Sequence, residues 1–208
     1  MTKIKLCGLS RLCDIEAVNA LNPEYIGFIF AAKSKRYISP ERAAALKKQL
    51  NASVKAVGVF VNEKPEVIAA LLQNGTIDIA QLHGSIEDEA YIKQLRGLTD
   101  KPIIRAFRID TEQDVAKAET SSADYVLLDS GSGGTGTVFN WNLIRNINRQ
   151  FFLAGGLDPD NVELAVKRLK PYAVDVSSGI ETDGVKDITK MRQFVRTVRR
   201  IEGKDETE

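Results

Sequence analysis

Six short segments of this chain carry groups that could do chemistry: Cys7-Gly8, Lys35-Arg36, His83-Gly84, Asp129, Gly155-Gly156 and Ser177-Ser178-Gly179. A thiol, a carboxyl and an imidazole are acid–base groups, and a guanidinium can grip a carboxylate at two points at once. A glycine pair and a Ser-Ser-Gly turn present backbone N–H groups and hydroxyls to an anion. Each segment also has an ordinary structural reading. Cys7 alone is a small buried hydrophobe, Asp129 a loop cap, Arg36 a solvated surface charge, and the glycines tight turns. His83, the one histidine in the chain, is more often structural at such a place. The choice turns on whether the fold brings the six together.

Short β-rich runs alternate with amphipathic stretches at helical spacing almost to the end, the pattern of repeated βαβ units. Strands are expected at Lys3–Cys7, Tyr25–Phe30, Lys55–Val61, Ile77–Gln81, Pro102–Phe107, Tyr125–Asp129, Phe151–Ala154 and Ala173–Val176. Helices are expected at Leu12–Leu21, Pro40–Leu50, Lys64–Gln73, Glu87–Leu95, Thr111–Thr120, Asn161–Leu169 and Asp187–Arg200. About eight of each closes a parallel barrel in roughly 200 to 250 residues, whereas an open doubly wound sheet usually needs fewer strands. The expected fold is α/β, a single-domain (β/α)8 TIM barrel over residues 1–208 with a frayed acidic tail at 202–208. Ser39-Pro40 and Asp158-Pro159 each set an oxygen cap before a proline at the first helical position, and Ser10 and Asp187 are further candidate caps.

Active sites of such barrels form at the carboxyl ends of the strands, which is where all six segments fall. The loops after the seventh and eighth strands are the usual phosphate site, so Gly155, Gly156, Ser177, Ser178 and Gly179 together point to a phosphorylated substrate. Bulk properties agree. Lysine plus arginine number 29 against 28 aspartate plus glutamate, so there is no electrostatic footprint for nucleic acid and a small-molecule partner fits better. Cys7 and Cys13 match no zinc spacing and no disulfide framework, as expected of reduced thiols in the cytoplasm. No apolar run approaches the roughly 20 residues that span a bilayer, so no membrane partner is expected.

Several ordered motifs go further. Lys5-Leu6-Cys7-Gly8-Leu9-Ser10, Gly27-Phe28-Ile29-Phe30 with Ser34-Lys35-Arg36, Val57-Gly58-Val59-Phe60-Val61-Asn62 and Gln81-Leu82-His83-Gly84 come first. Leu127-Leu128-Asp129, Gly133-Gly134-Thr135-Gly136, Leu153-Ala154-Gly155-Gly156-Leu157 and Asp175-Val176-Ser177-Ser178-Gly179-Ile180-Glu181 follow. In order and spacing this set resembles the phosphoribosylanthranilate isomerases over nearly the whole chain. Leu6 and Ser10 stand where isoleucine and threonine are common, and neither change touches the chemistry.

The resemblance implies a cofactor-free and metal-free Amadori rearrangement of N-(5-phosphoribosyl)anthranilate in tryptophan biosynthesis. It makes Cys7 the general base, Asp129 the general acid and Arg36 the holder of the anthranilate carboxylate. Gly155, Gly156, Ser177, Ser178 and Gly179 become the phosphate loops, with His83 and Asp175 as supporting residues. The base should be partly thiolate, so positive charge or N–H dipoles should lower the Cys7 pKa, and Asp129 should hold a proton near neutrality. The glycine-rich stretch 130–136 is expected to close as a lid over the substrate. Family members occur as monomers or homodimers. Two other readings are a histidine-pathway aminoaldose isomerase, which would put a carboxylate at Cys7, and a non-catalytic phosphate-sugar-binding barrel, which would need neither Cys7 nor Asp129.

Overall fold

The β-branched and aromatic runs pair into one closed sheet. In the computed structural model, which describes residues 1–84, 88–129, 141–144, 147–201 and 203, eight parallel strands form a barrel in chain order. They are β1 (Lys3–Cys7), β2 (Tyr25–Ile29), β3 (Lys55–Phe60), β4 (Ile79–Leu82), β5 (Ile103–Arg108), β6 (Tyr125–Asp129), β7 (Phe151–Leu153) and β8 (Ala173–Val176). Helices α1 (Leu12–Leu21), α2 (Pro40–Lys47), α3 (Pro65–Gln73), α4 (Glu89–Arg96) and α5 (Glu112–Thr120) follow the first five strands. Helices α6 (Val162–Leu169) and α7 (Ile188–Ile201) follow β7 and β8.

Between β6 and β7 the described residues include a short 3₁₀ turn, Trp141–Ile144, which buries Trp141 and Ile144. Helix α2 stops before Leu50, because Gln49 and Leu50 donate three residues back, to Leu46 and Lys47, and tighten its end. The Gly-rich stretch 130–136 lies outside the described residues, as does the tail 202–208 apart from Gly203.

The helix starts show which caps hold. The Ser39 hydroxyl accepts from the Arg42 N–H, and the Asp187 carboxylate accepts from Thr189 and Lys190. Ser10 is not a cap; the Asp14 carboxylate inside α1 accepts from the Ser10 and Arg11 N–H groups instead. Asp158 accepts from Asp160 and Asn161, making a side-chain turn ahead of α6, so Pro159 stands before the helix rather than at its first position. A small antiparallel ladder, β9 (Glu181–Thr182) with β10 (Val185–Lys186), precedes α7. Its two-residue turn is Asp183-Gly184, both at positive φ, and Asp-Gly favours such a hairpin.

Alternation along the strands divides the apolar residues between two cores. Ile4, Leu6, Ile26 and Phe28 point outward and join the apolar faces of the helices. Val57, Ile79, Ile104, Leu127 and Phe152 point inward and fill the barrel. Each such fully buried side chain contributes about 1.5–3 kcal/mol of transfer free energy. At the base, the hydroxyls of Tyr25 and Tyr125 lie 3.1 and 3.5 Å from that of Tyr172, and Lys3 Nζ donates to Tyr172 at 2.6 Å. Phe152 packs on Tyr25 with ring centroids 5.4 Å apart, completing an aromatic plug. On β1 the residues Lys3, Lys5 and Cys7 thus run from plug to mouth. No helix among the described residues is long and apolar enough to cross a membrane.

Candidate active site

The carboxyl ends of the strands surround a cavity of about 280 Å³. Cys7, Arg36, His83, Asp129, Gly155, Gly156, Asp175, Ser177 and Ser178 all line it, so residues from six separate segments converge as expected. Ile29, Val59 and Leu127 give it an apolar wall suited to an aromatic ring. Gly179 stands behind this lining. A Cβ on it would lie 1.9 Å from the Leu157 carbonyl oxygen, so only glycine lets the loop after β8 press onto the loop after β7. Lys35 is exposed and takes no place in the lining.

Cys7 ends β1 beside Gly27 of β2. A Cβ on Gly27 would meet the Cys7 Sγ at 2.5 Å, so the missing side chain there makes the space the thiol occupies. Gly8 has φ +81°, turning the chain so that Gly8 and Leu9 both donate to the Gly27 carbonyl. The thiol is buried, at 5 % exposure. Burial pushes its pKa up, Lys5 and Lys186 oppose, and Asp175 adds to the rise, so the balance lies above the ordinary thiol range. The positive charges expected from the sequence are present, but they do not outweigh desolvation and Asp175.

Asp129 ends β6, with the His83 Nε2 3.9 Å from its Oδ2. His83 is partly exposed at the end of β4 and is held by its own N–H donating to the Phe60 carbonyl. Beneath them Asp175 lies in β8, paired with Lys5 through two contacts of 3.0 Å. Gln81 of β4 is 3 % exposed, and its Oε1 is the buried side-chain atom without a hydrogen-bond partner among the described residues. It faces a cavity that could supply a hydroxyl donor.

Arg36 comes from the loop after β2, which returns along the strand through a bridge between Ile29 and Tyr37. Its guanidinium is already gripped: Nε and Nη2 donate to Glu181 at 2.6 and 2.7 Å. Glu181 also accepts from the buried Lys186 at 2.5 Å, and Lys186 donates to the Ser177 carbonyl at 2.8 Å. Burial would raise the Glu181 pKa, but Arg36 and Lys186 bring it below the usual carboxylate range. Burial pulls Lys186 below the usual lysine range although Glu181 opposes it. The ladder β9–β10 therefore ties Arg36 to the loop that begins at Ser177.

That loop and the Gly155-Gly156 turn make one wall of the cavity. Both glycines have positive φ, 88° and 66°, which directs their backbone toward the cavity side of the turn. Asn161 donates to the Gly156 carbonyl at 2.8 Å and fixes the turn. Ser177-Ser178 leads into a 3₁₀ turn, Ser178–Ile180, whereas Gly155-Gly156 leads into the Asp158 turn.

Residues 4–197 match the family of N-(5'-phosphoribosyl)anthranilate (PRA) isomerases. This chain belongs to that family. The N-(5'-phosphoribosyl)anthranilate isomerase of Endomicrobium trichonymphae is 43% identical over 205 residues, covering 97% of this chain and 100% of the relative. A solved phosphoribosyl anthranilate isomerase in complex with reduced 1-(o-carboxyphenylamino)-1-deoxyribulose 5-phosphate superposes with TM-score 0.85 at 35% identity, covering 96% of this chain and 100% of that one. A second, solved as monomers of the dimeric enzyme from Thermotoga maritima, gives TM-score 0.84 at 36% identity, with coverage of 96% and 100%. Membership of the isomerase family makes the chain an aldose–ketose isomerase of tryptophan biosynthesis.

For an isomerase of this family, sequence reasoning overlooks four residues of the site: Lys5, Gln81, Glu181 and Lys186. Lys5 had a signal, since it stands two residues before Cys7 on one face of a strand. Gln81 and Glu181 lie inside motifs quoted for other residues. Lys186 is placed by a hairpin whose Asp183-Gly184 turn is legible in the sequence.

Proposed function

We propose that Cys7 is the general base and Asp129 the general acid in the rearrangement of N-(5-phosphoribosyl)anthranilate to 1-(o-carboxyphenylamino)-1-deoxyribulose 5-phosphate. The observation that carries the assignment is that a thiol from β1 and a carboxyl from β6 line one cavity together with two glycine-bearing loops fit for a phosphate. Asp129 protonates the furanose oxygen while the anilino nitrogen donates electrons, giving an open-chain iminium. The thiolate of Cys7 then removes the proton from the adjacent carbon, which the iminium has acidified, to give an enolamine that tautomerises to the ketone. Both events are proton transfers, so two protein groups suffice.

The remaining walls hold the substrate's two ends. Gly155, Gly156, Ser177 and Ser178 surround the phosphate, with Gly179 locking the two loops together. Arg36 takes the anthranilate carboxylate, its guanidinium oriented by Glu181, and the ring lies on the apolar wall. His83 and Asp175 support the acid. The partner is a small phosphorylated metabolite and the setting is the cytoplasm. The retained thiol and carboxyl argue against a non-catalytic binding barrel, and a thiol in place of a carboxylate argues against the histidine-pathway isomerase.

The test is direct. Purified protein consumes freshly prepared phosphoribosylanthranilate, read as loss of anthranilate-type fluorescence. Cys7→Ser and Asp129→Asn each slow turnover by about 100-fold or more while circular dichroism is unchanged. Full activity in Cys7→Ala removes the thiol from the mechanism, and binding without turnover in the unaltered protein favours the binding barrel.

A further inference from the structure

Inside the barrel, at the floor of the cavity, lies a salt bridge whose lysine has no part in the rearrangement as described and whose carboxylate enters it only as a support of the acid. Lys5 is fully buried and Asp175 is 9 % exposed, with the ammonium 3.0 Å from each carboxylate oxygen. The two residues are partners in the β1–β8 register, so the sheet itself sets their separation. Such a pair adds little to stability, because desolvation offsets the attraction and apolar residues would fill the space as well. Its surroundings, however, differ at the two ends. Lys5 shares the inward face of β1 with Cys7, and its positive charge favours the thiolate. Asp175 lines the same cavity as Asp129 and feels its charge.

We propose that Lys5 and Asp175 are positioning residues that form a fixed dipole between base and acid, the positive end stabilising the Cys7 thiolate and the negative end the protonated Asp129. The inference rests on the acid–base assignment above. Moving one proton from Cys7 to Asp129 leaves the net charge of the pocket unchanged, so burial of the pocket as a whole does not oppose it. The local field decides where the proton resides. Cys7 is faced by Lys5 from its own strand, Asp175 from β8, Lys186 from β10 and Arg36 from the β2–α2 loop, with His83 and Asp129 across the cavity. Arg36 and Lys186 are both bonded to Glu181. Lys5 is the cation that favours the thiolate most, from two residues away on the same strand face, and Asp175, while also opposing the thiolate, is the carboxylate set towards the acid.

The experiment reads the thiol directly, in a Cys13→Ser background so that Cys7 alone reports. The pH dependence of thiolate absorbance and of iodoacetamide alkylation is measured beside kcat. Lys5→Met moves the thiolate midpoint up by about one unit, which is about tenfold slower alkylation at neutral pH. Asp175→Asn moves it down and speeds alkylation, yet kcat falls because the acid has lost its neighbour. A purely structural pair would not give more thiolate together with slower turnover. Lys5→Met/Asp175→Asn leaves no lone buried charge and so folds even where Lys5→Met does not. Its midpoint also rises, by less than in Lys5→Met, because Lys5 acts on the thiol more strongly than Asp175 does. A Cys7 titration unmoved in the double variant overturns the proposal. A fully active Cys7→Ser would instead sink the assignment of the base and leave the titration result standing.

Discussion

Gly27→Ala tests whether the position of the Cys7 thiol governs the rate. The added Cβ would sit 2.5 Å from Sγ and 3.1 Å from both Cα and Cβ of Cys7. Ordinary contacts between such atoms are about 3.5–4.0 Å, so the thiol must retreat by about 1 Å. Overpacking of this kind costs about 1–3 kcal/mol, which in a protein of this size lowers Tm by a few degrees. A displacement of about 1 Å in a reacting group can cost about 100-fold in rate. Activity should therefore fall far more than stability. Gly58→Ala is the matched control: its Cβ would meet Ile77 and Phe60 at 2.7 and 2.8 Å in the outer core, away from the thiol. Fluorescence-monitored turnover and thermal unfolding are run on both variants. Gly58→Ala should lose stability with kcat close to that of the unaltered protein, while Gly27→Ala loses about two orders of magnitude. Retention of kcat in folded Gly27→Ala, or equal losses in the two variants, would refute the reasoning.

Three other substitutions probe the rest of the cavity. In Gly179→Ala the new Cβ meets backbone, not a side-chain tip that could swing aside; the two loops must part, and KM together with the inhibition constant of inorganic phosphate should rise by about tenfold, whereas unchanged values would show that the loops do not jointly hold the phosphate. Glu181 titrates below the usual carboxylate range because Arg36 and Lys186 outweigh its burial. Its stabilisation is thus present above the unfolded value of about 4.3 and is lost as pH falls through the folded one. Glu181→Gln should accordingly show a flatter fall of Tm in acid and a higher KM as Arg36 loses its partner, and an unaltered acid slope would count against the cluster. Gln81→Leu removes an unsatisfied buried oxygen, so it should leave stability within about 1 kcal/mol while raising KM; an unchanged KM would show that the oxygen receives nothing from the substrate.

The barrel was legible because strand residues such as Ile4, Leu6, Ile26 and Phe28 repeat with period two and bury against helices whose starts carry recognisable caps. The 3₁₀ segment Trp141–Ile144 was not, since nothing in its composition announces that so short a turn would bury Trp141 and Ile144. Ser10 misled for a specific reason: a hydroxyl before a helix is a good cap, but α1 starts one residue later, with Arg11 at the cap position, and the Asp14 carboxylate reaches back to the N–H groups of Ser10 and Arg11. At the site, the positions of Cys7, Asp129 and the two glycine-bearing loops followed from strand order. The charge around Cys7 did not, because Lys186 arrives through a two-stranded ladder far along the chain and Lys5 is partnered across a register known only from the closed sheet. Arg36 showed the same limit, as its engagement with Glu181 depends on two loops remote in sequence.

The tyrosines and lysine at the foot of the barrel have a kinetic corollary. Among the described residues the barrel is stoppered at that end, so the ketose formed inside departs by the mouth through which the aldose came in. Reactant and product then exclude one another from the same vacancy, and the accumulated ketose should act as a strictly competitive brake. A mixed pattern in steady-state product inhibition would show instead that the ketose also binds outside that vacancy, or that the emptied enzyme recovers through a slow step before it accepts the aldose.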